Sequence, residues 1–161
     1  MENKGLIKYQ AGLVKHTGNA VNITSKLISI DLRTLNILHL DDQILFAGGI
    51  LNCILKKFPN VAIKNIQNGD EALKYVSSCI INKKKLDLII TDINHPGLNG
   101  VDFANAVRLI EKDFKNKIPI IFITMIDDKS VITKIEKIHL TKHLIKTSPC
   151  EEINLAIHNL V

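Results

Sequence analysis

Between Leu35 and Val161 the chain alternates, five times over, between a short apolar run and a longer segment of helical periodicity. The runs are Leu35–Leu40, Val61–Ile66, Leu86–Asp92, Ile118–Ile123 and His143–Lys146. They are followed in turn by Gln43–Phe58, Asp70–Ile81, Val101–Asp113, Asp127–Ile138 and the C-terminal stretch from Glu151. Strand runs that are apolar at successive positions rather than alternate ones belong to strands buried on both faces. Strands that alternate with helices imply a parallel sheet with helices on each side. For five strands the expected fold is a flavodoxin-like, doubly wound α/β sheet of order 2-1-3-4-5, which places a ligand crevice at the carboxyl ends of strands 1 and 3. The 161 residues accommodate this domain over 35–161 with an N-terminal extension over 1–34.

The third run delivers one carboxylate to a turn: Leu86-Asp-Leu-Ile-Ile-Thr-Asp92, then Ile-Asn-His-Pro-Gly-Leu-Asn-Gly100. In a parallel sheet the ends of all strands share one rim. Asp41 and Asp42 end the first strand, Thr124 ends the fourth and Lys146 the fifth. Any one Asp could simply cap a turn or helix. Three carboxylates brought together repel, and the set requires a positive partner. Oxygen donors favour Mg²⁺ over zinc. With an ammonium at Lys146 and a hydroxyl at Thr124, the set suits a phosphoryl group attacked by a carboxylate.

Composition narrows the partners. The chain carries +5, of which residues 1–34 hold +3. Trp is absent and the few aromatics are not interleaved with basic residues, so no base-stacking platform is expected, and with it no direct nucleic-acid binding. No apolar run reaches the ~20 residues of a membrane span, and the start of the chain has no signal-peptide pattern; a cytoplasmic location is expected. Cys53, Cys79 and Cys150 have no ligand-type spacing and read as free thiols. In the extension, apolar pairs recur every seven residues at Leu6/Ile7, Leu13/Val14, Ala20/Val21 and Leu27/Ile28. This predicts a helix, either a dimerising one or one packed on the main domain; Ala20–Thr24 also alternates as a strand would. Gly48-Gly49 inside the first helical segment is costly and suggests close packing on the sheet. Ser148-Pro-Cys-Glu151 has the form of a capping box with Pro at the first helical position.

Taken together, residues 35–161 resemble the receiver domain of bacterial two-component response regulators. The acid pair Asp41-Asp42, the loop Asp92-x-x-x-Pro96-x-x-x-Gly100, the helix entry Asn68-Gly-Asp-Glu-Ala-Leu73, Thr124 and Lys146 carry the resemblance. It implies that Asp92 accepts a phosphoryl group from a histidine kinase or histidine phosphotransfer protein. Mg²⁺ would be held by Asp42, Asp92 and the backbone carbonyl of Asn94, with Asp41 acting mainly through water. Thr124 and Lys146 would hold the phosphoryl oxygens, and His143 would stand at the family's switch position. Such a protein is not an enzyme, although it assists its own phosphotransfer and dephosphorylation. Without an output domain after Val161 it would signal to a downstream protein target by contact.

Several residues depart from the family pattern. His95 replaces a common Met, and His139-Leu140 a common Gly-Ala. Met125 stands where a small residue is usual, which should slow donor and water access. Lys146 precedes Thr147 rather than Pro, so a trans bond is expected there, because a cis bond costs about 2.5–4 kcal/mol without Pro; this bears on the reach of Lys146. The alternative reading is a pseudo-receiver, an interaction module that no longer uses phosphate. A small phosphohydrolase is disfavoured because Asn94, not Asp, stands two residues after Asp92.

Overall fold

The computed structural model of the protein describes residues 33–161. The predicted helix of the extension and any dimer built on it therefore lie outside the described residues, apart from Arg33 and Thr34. Five strands, β1 (Leu35–Leu40), β2 (Val61–Ile66), β3 (Leu88–Thr91), β4 (Ile120–Thr124) and β5 (Thr141–Ile145), alternate with five helices. These are α1 (Ile44–Lys57), α2 (Gly69–Ile81), α3 (Gly100–Ile110), α4 (Lys129–Glu136) and α5 (Cys150–Leu160). All strand pairs are parallel, in the order β2-β1-β3-β4-β5, as the alternation predicts.

The apolar runs fill both faces of the sheet because successive side chains point to opposite sides. Leu88 and Ile90 of β3 face one core layer, with Ile37, Ile121, Ile123 and Leu144, under Ile50 and Ile54 of α1, Phe58 at its C-cap, and Ile153, Ala156 and Ile157 of α5. Ile89, between them in sequence, faces the other, with Leu38, Leu40 and Phe122, under Ala72 and Val76 of α2, Phe103, Ala104 and Val107 of α3, and Ile135 of α4. A strand with water on one side could not carry the run Leu88-Ile-Ile90; covered on both sides, it does.

The helix entries follow side-chain chemistry. Asn68, Asn99 and Asp128 cap α2, α3 and α4 by accepting backbone N–H bonds from the first turn, which offsets donors that a helix start leaves unpaired. The capping box expected before α5 does not form: Pro149 is the N-cap and no side chain caps the helix, while Ser148 donates its own N–H to the carbonyl of Ile145. Helix α3 also stops earlier than its apolar pattern suggests. At Glu111 the buried carboxylate pairs with Arg108 at 2.5 Å and accepts the N–H of Ile118 at 2.7 Å, turning the chain towards β4.

Two further expectations are corrected. Helix α1 presents Ile50, Ile54 and Phe58 to the core, leaving Leu55 and Gly48-Gly49 on the outer side. A Cβ added at either glycine would meet nothing within 4 Å, so the pair does not serve close packing. The cysteines are not all free: Cys53 of α1 and Cys150 of α5 form a disulfide, with Cα atoms 5.3 Å apart, and the buried Cys79 alone remains a thiol. The topology brings together two cysteines 97 residues apart in sequence, a pairing that no local spacing could announce.

The exposed glycines yield a stability prediction. Gly48→Ala and Gly49→Ala should each raise the unfolding free energy by about 0.5–1 kcal/mol, read as a higher denaturant midpoint with an unchanged slope.

Candidate functional site

Strand β1 ends at Leu40 and hands Asp41 and Asp42 to the rim; β3 ends at Thr91 and does the same for Asp92. The two strands are adjacent, with Leu40 opposite Thr91, and so the carboxylates of Asp41 and Asp92 arrive side by side. Both are buried, at 4% exposure each. Each uses one oxygen on a local backbone donor: Asp41 Oδ1 accepts the N–H of Gln43 at 2.8 Å, and Asp92 Oδ1 that of Ile93 at 2.6 Å.

Their other oxygens converge on Lys146. Its Nζ lies 2.8 Å from Asp41 Oδ2 and 2.7 Å from Asp92 Oδ2. No described peptide bond is cis, so the Lys146–Thr147 link is trans as expected, and Lys146 nevertheless reaches both acids. Burial pulls the pKa of Lys146 down, but the two carboxylates outweigh it, and the ammonium is held above the ordinary lysine value. The stabilisation it provides is therefore present below the ordinary lysine pKa and is lost only as pH rises through the higher folded value.

The rest of the site is uneven. Thr124 ends β4 with its hydroxyl buried, accepting the N–H of Ile126 at 3.3 Å. Its carbonyl accepts the N–H of Lys146 at 2.9 Å, so the fourth and fifth strand ends are tied at the rim. Asp42 and Asn94 are exposed, and among the described residues no three His, Cys, Asp or Glu side chains are gathered to metal-binding spacing. Asp41, Asp92 and Lys146 thus form the assembled centre, with Asp42 beside it on the open side. Met125, 58% exposed, flanks Thr124. His143, on β5 opposite Phe122, has a buried Nε2 with no hydrogen-bond partner.

The loop after Asp92 is shaped by its glycines. Gly97 has φ +77°, and a Cβ at Gly100 would overlap the carbonyl of Asp92. The Gly100 N–H closes the loop onto the carbonyl of Ile93 at 2.8 Å, and the Gly69 N–H ties the carbonyl of Pro96 to α2 at 2.8 Å. Within this loop His95 Nε2 lies 3.4 Å from the Thr91 hydroxyl, which in turn donates to the carbonyl of Asp92 at 2.7 Å.

Sequence reasoning missed three contributors. Gln43 accepts from Lys146 Nζ through Oε1 at 3.3 Å, and the Phe46 ring lies 5.0 Å beneath the same ammonium. Both stand at the start of α1, three residues apart, a spacing that puts them on one face. His39 is buried on β1 with Nδ1 3.1 Å from Asn65 Oδ1. Burial pulls its pKa below the usual histidine value, against the raising effect of Asp41. Its signal was legible: a His flanked by Leu38 and Leu40 in a largely apolar strand, two residues from an acid pair.

Comparison with known proteins bears on the family and the fold. A family model described as the response regulator receiver domain matches residues 37–158. The chain belongs to this family. Among curated proteins, this receiver is 27% identical over 125 residues to a glycerol metabolism activator of Pseudomonas putida, covering 78% of this chain and 53% of that protein. It is 36% identical over 77 residues to stress response regulator protein 1 of Candida dubliniensis, covering 48% of this chain and 25% of that one. It thus spans about half the length, or less, of these relatives. Among solved structures, the receiver domain of the histidine kinase CKI1 from Arabidopsis thaliana, complexed with Mg²⁺ and BeF₃⁻, aligns with TM-score 0.69 at 20% identity, over 80% of this chain and 91% of that one. The chemotaxis response regulator CheY4 of Vibrio cholerae aligns with TM-score 0.64 at 22% identity, over 80% and 100%. At such identities these likenesses bear on the fold, which is the receiver fold.

Lys146→Met would leave two buried carboxylates facing each other without a cation. Breaking a buried pair in this way costs about 3–5 kcal/mol. The variant should show a loss of that order in chemical denaturation, and Asp41→Asn in the same background should restore part of it.

Proposed function

We propose that this receiver is a phosphoacceptor, modified on Asp92 by a partner histidine kinase or histidine phosphotransfer protein, and that it signals by protein–protein contact. The observation that carries the reading is the shared grip of Lys146 on Asp41 and Asp92. It marks Asp92 as a carboxylate presented at the rim beside a second acid and a cation, rather than one consumed in capping. A solved neighbour, the receiver domain of Ssk1 from Saccharomyces cerevisiae, was crystallised with the histidine phosphotransfer protein Ypd1 and aligns here with TM-score 0.66 at 20% identity, over 81% of this chain and 90% of that one. That neighbour supports the kind of donor.

The proposed reaction joins a carboxylate oxygen of Asp92 to phosphorus as the P–N bond of a phosphohistidine breaks. Lys146 would follow the incoming charge: its ammonium already contacts Asp92 Oδ2 and would turn to a phosphoryl oxygen. The Thr124 hydroxyl, at the end of the adjoining strand, would donate to another. Asp41 and Asp92 set two carboxylates against one ammonium, with Asp42 beside them on the open side, and oxygen donors with surplus negative charge suit Mg²⁺. When bound, the ion would neutralise charge on the transferring group; Asp42, Asp92 and the Asn94 carbonyl would hold it, with Asp41 acting mainly through water. In this reading the protein assists its own phosphorylation and hydrolysis without being an enzyme for another substrate. Among the described residues no helix is long and apolar enough to cross a membrane, consistent with a cytoplasmic place of action.

Beryllofluoride with Mg²⁺, or acetyl phosphate with Mg²⁺, should bind or modify the wild type but not Asp92→Asn, as read by intact mass and by shifts of the Thr124 and Lys146 amides. Equal behaviour of the two proteins would favour a pseudo-receiver instead. Met125 stands exposed beside Thr124, and in this reading it would screen the phosphorylated site from water. Met125→Ala should therefore shorten the lifetime of the phosphorylated form, by roughly threefold to tenfold for a change of about 1 kcal/mol in the barrier.

A further inference from the structure

The Cys53–Cys150 pair plays no part in the phosphoryl chemistry, yet it joins the two helices that hold Lys146. Helix α1 holds it through Gln43 and Phe46, which lie at its N-terminal end under the ammonium. Helix α5 holds it through the chain itself: Thr147, Ser148 and Pro149 are all that separate Lys146 from Cys150. Asn154 of α5 adds a second tie by donating to the carbonyl of Cys53 at 3.3 Å. We propose that Cys53 and Cys150 form a reversible thiol–disulfide site that clamps α1 to α5 and thereby sets how firmly Lys146 is held between Asp41 and Asp92.

The geometry supports reversibility in place. The Cα separation of 5.3 Å falls within the ~4.4–6.8 Å that a disulfide spans, so the two sulfurs can be joined from this backbone position. Both cysteines are partly exposed, whereas Cys79 is buried, so the pair is open to exchange and the third thiol does not compete. The oxidant is a low-molecular-weight disulfide such as glutathione disulfide. One cysteine thiolate attacks it, forming a mixed disulfide and releasing one glutathione thiol. The second cysteine thiolate then attacks the protein-bound sulfur and releases the other. Two protein thiols are oxidised, one glutathione disulfide is reduced to two thiols, and two protons pass to the released thiolates.

The functional part of the inference rests on Asp92 being a phosphoacceptor; the clamp itself does not. Acceptance of phosphate requires Lys146 to leave its shared position. A β5–α5 connection pinned at Cys150 resists that shift, so the oxidised protein is the slower acceptor.

The full chain, equilibrated in glutathione mixtures of graded ratio, would be alkylated and weighed. Expected is a single transition in which two thiols are lost together, with Cys53 and Cys150 recovered as a linked peptide. Three alkylated thiols at every ratio would overturn the site. Backbone hydrogen exchange from Ile145 to Cys150 should be about tenfold faster in the reduced form, and as fast in Cys53→Ser and Cys150→Ser under oxidant; exchange that does not respond to reduction would overturn the clamp. Acetyl phosphate with Mg²⁺ should then label reduced wild type about threefold faster than oxidised wild type, with the serine variants indifferent to oxidant. Equal labelling of both forms would overturn the coupling to Asp92. Labelling of neither would instead count against the phosphoacceptor reading, leaving the thiol and exchange results to judge the clamp.

Discussion

Two carboxylates and one ammonium share a desolvated corner where β1, β3 and β5 end. Asp41 and Asp92 could not lie buried side by side without Lys146, and Lys146 could not be buried without them. Removing Lys146 leaves two uncompensated carboxylates in a low-dielectric place. The dependence runs outward from there. The sheet order sets β1 beside β3, which brings the acids together, while β5 lies two strands beyond and must send a long side chain back across the rim. Lysine has the reach, and the tie between the Lys146 N–H and the Thr124 carbonyl sets where that reach begins.

The surroundings of this corner are built to aim it. Each acid is oriented by one backbone N–H, leaving its second oxygen towards the cation. The loop after Asp92 is closed by glycines at positions where a side chain would collide with backbone or adopt a strained φ. The first turn of α1 sets an amide and a ring against the ammonium. What looks in sequence like a list of scattered polar residues is physically one arrangement, held by strand ends, one loop and two helix starts. The disulfide lies behind it, joining the two helices through which Lys146 is steadied.

Much of this was legible in the chain. The run Leu88-Ile-Ile90 needs cover on both faces, which a doubly wound sheet supplies, and Asp41, Asp92, Thr124 and Lys146 each follow a strand run directly. Other features were opaque because they depend on rotation about an axis or on meetings across the chain. Helix α1 has apolar residues on more than one side, so its pattern did not reveal that Ile50, Ile54 and Phe58 face inward while Gly48 and Gly49 face water. Ser148 and Glu151 had the spacing of a capping box, but β5 turns into α5 through a bond from the Ser148 N–H to Ile145, and Pro149 takes the cap. The cysteines, read by spacing alone, showed no partner.

The sequence by itself determined the succession of strands and helices, the parallel sheet and the residues that end its strands, because burial on two faces and the period of each element are written locally in apolar order. Only the tertiary structure decided that Lys146 bridges Asp41 and Asp92, that Gln43 and Phe46 support it, and that Cys53 meets Cys150. These are contacts between residues from about fifty to about a hundred positions apart. They form when the packing of helices on the sheet fixes distances, and no local pattern of side chains encodes such a distance.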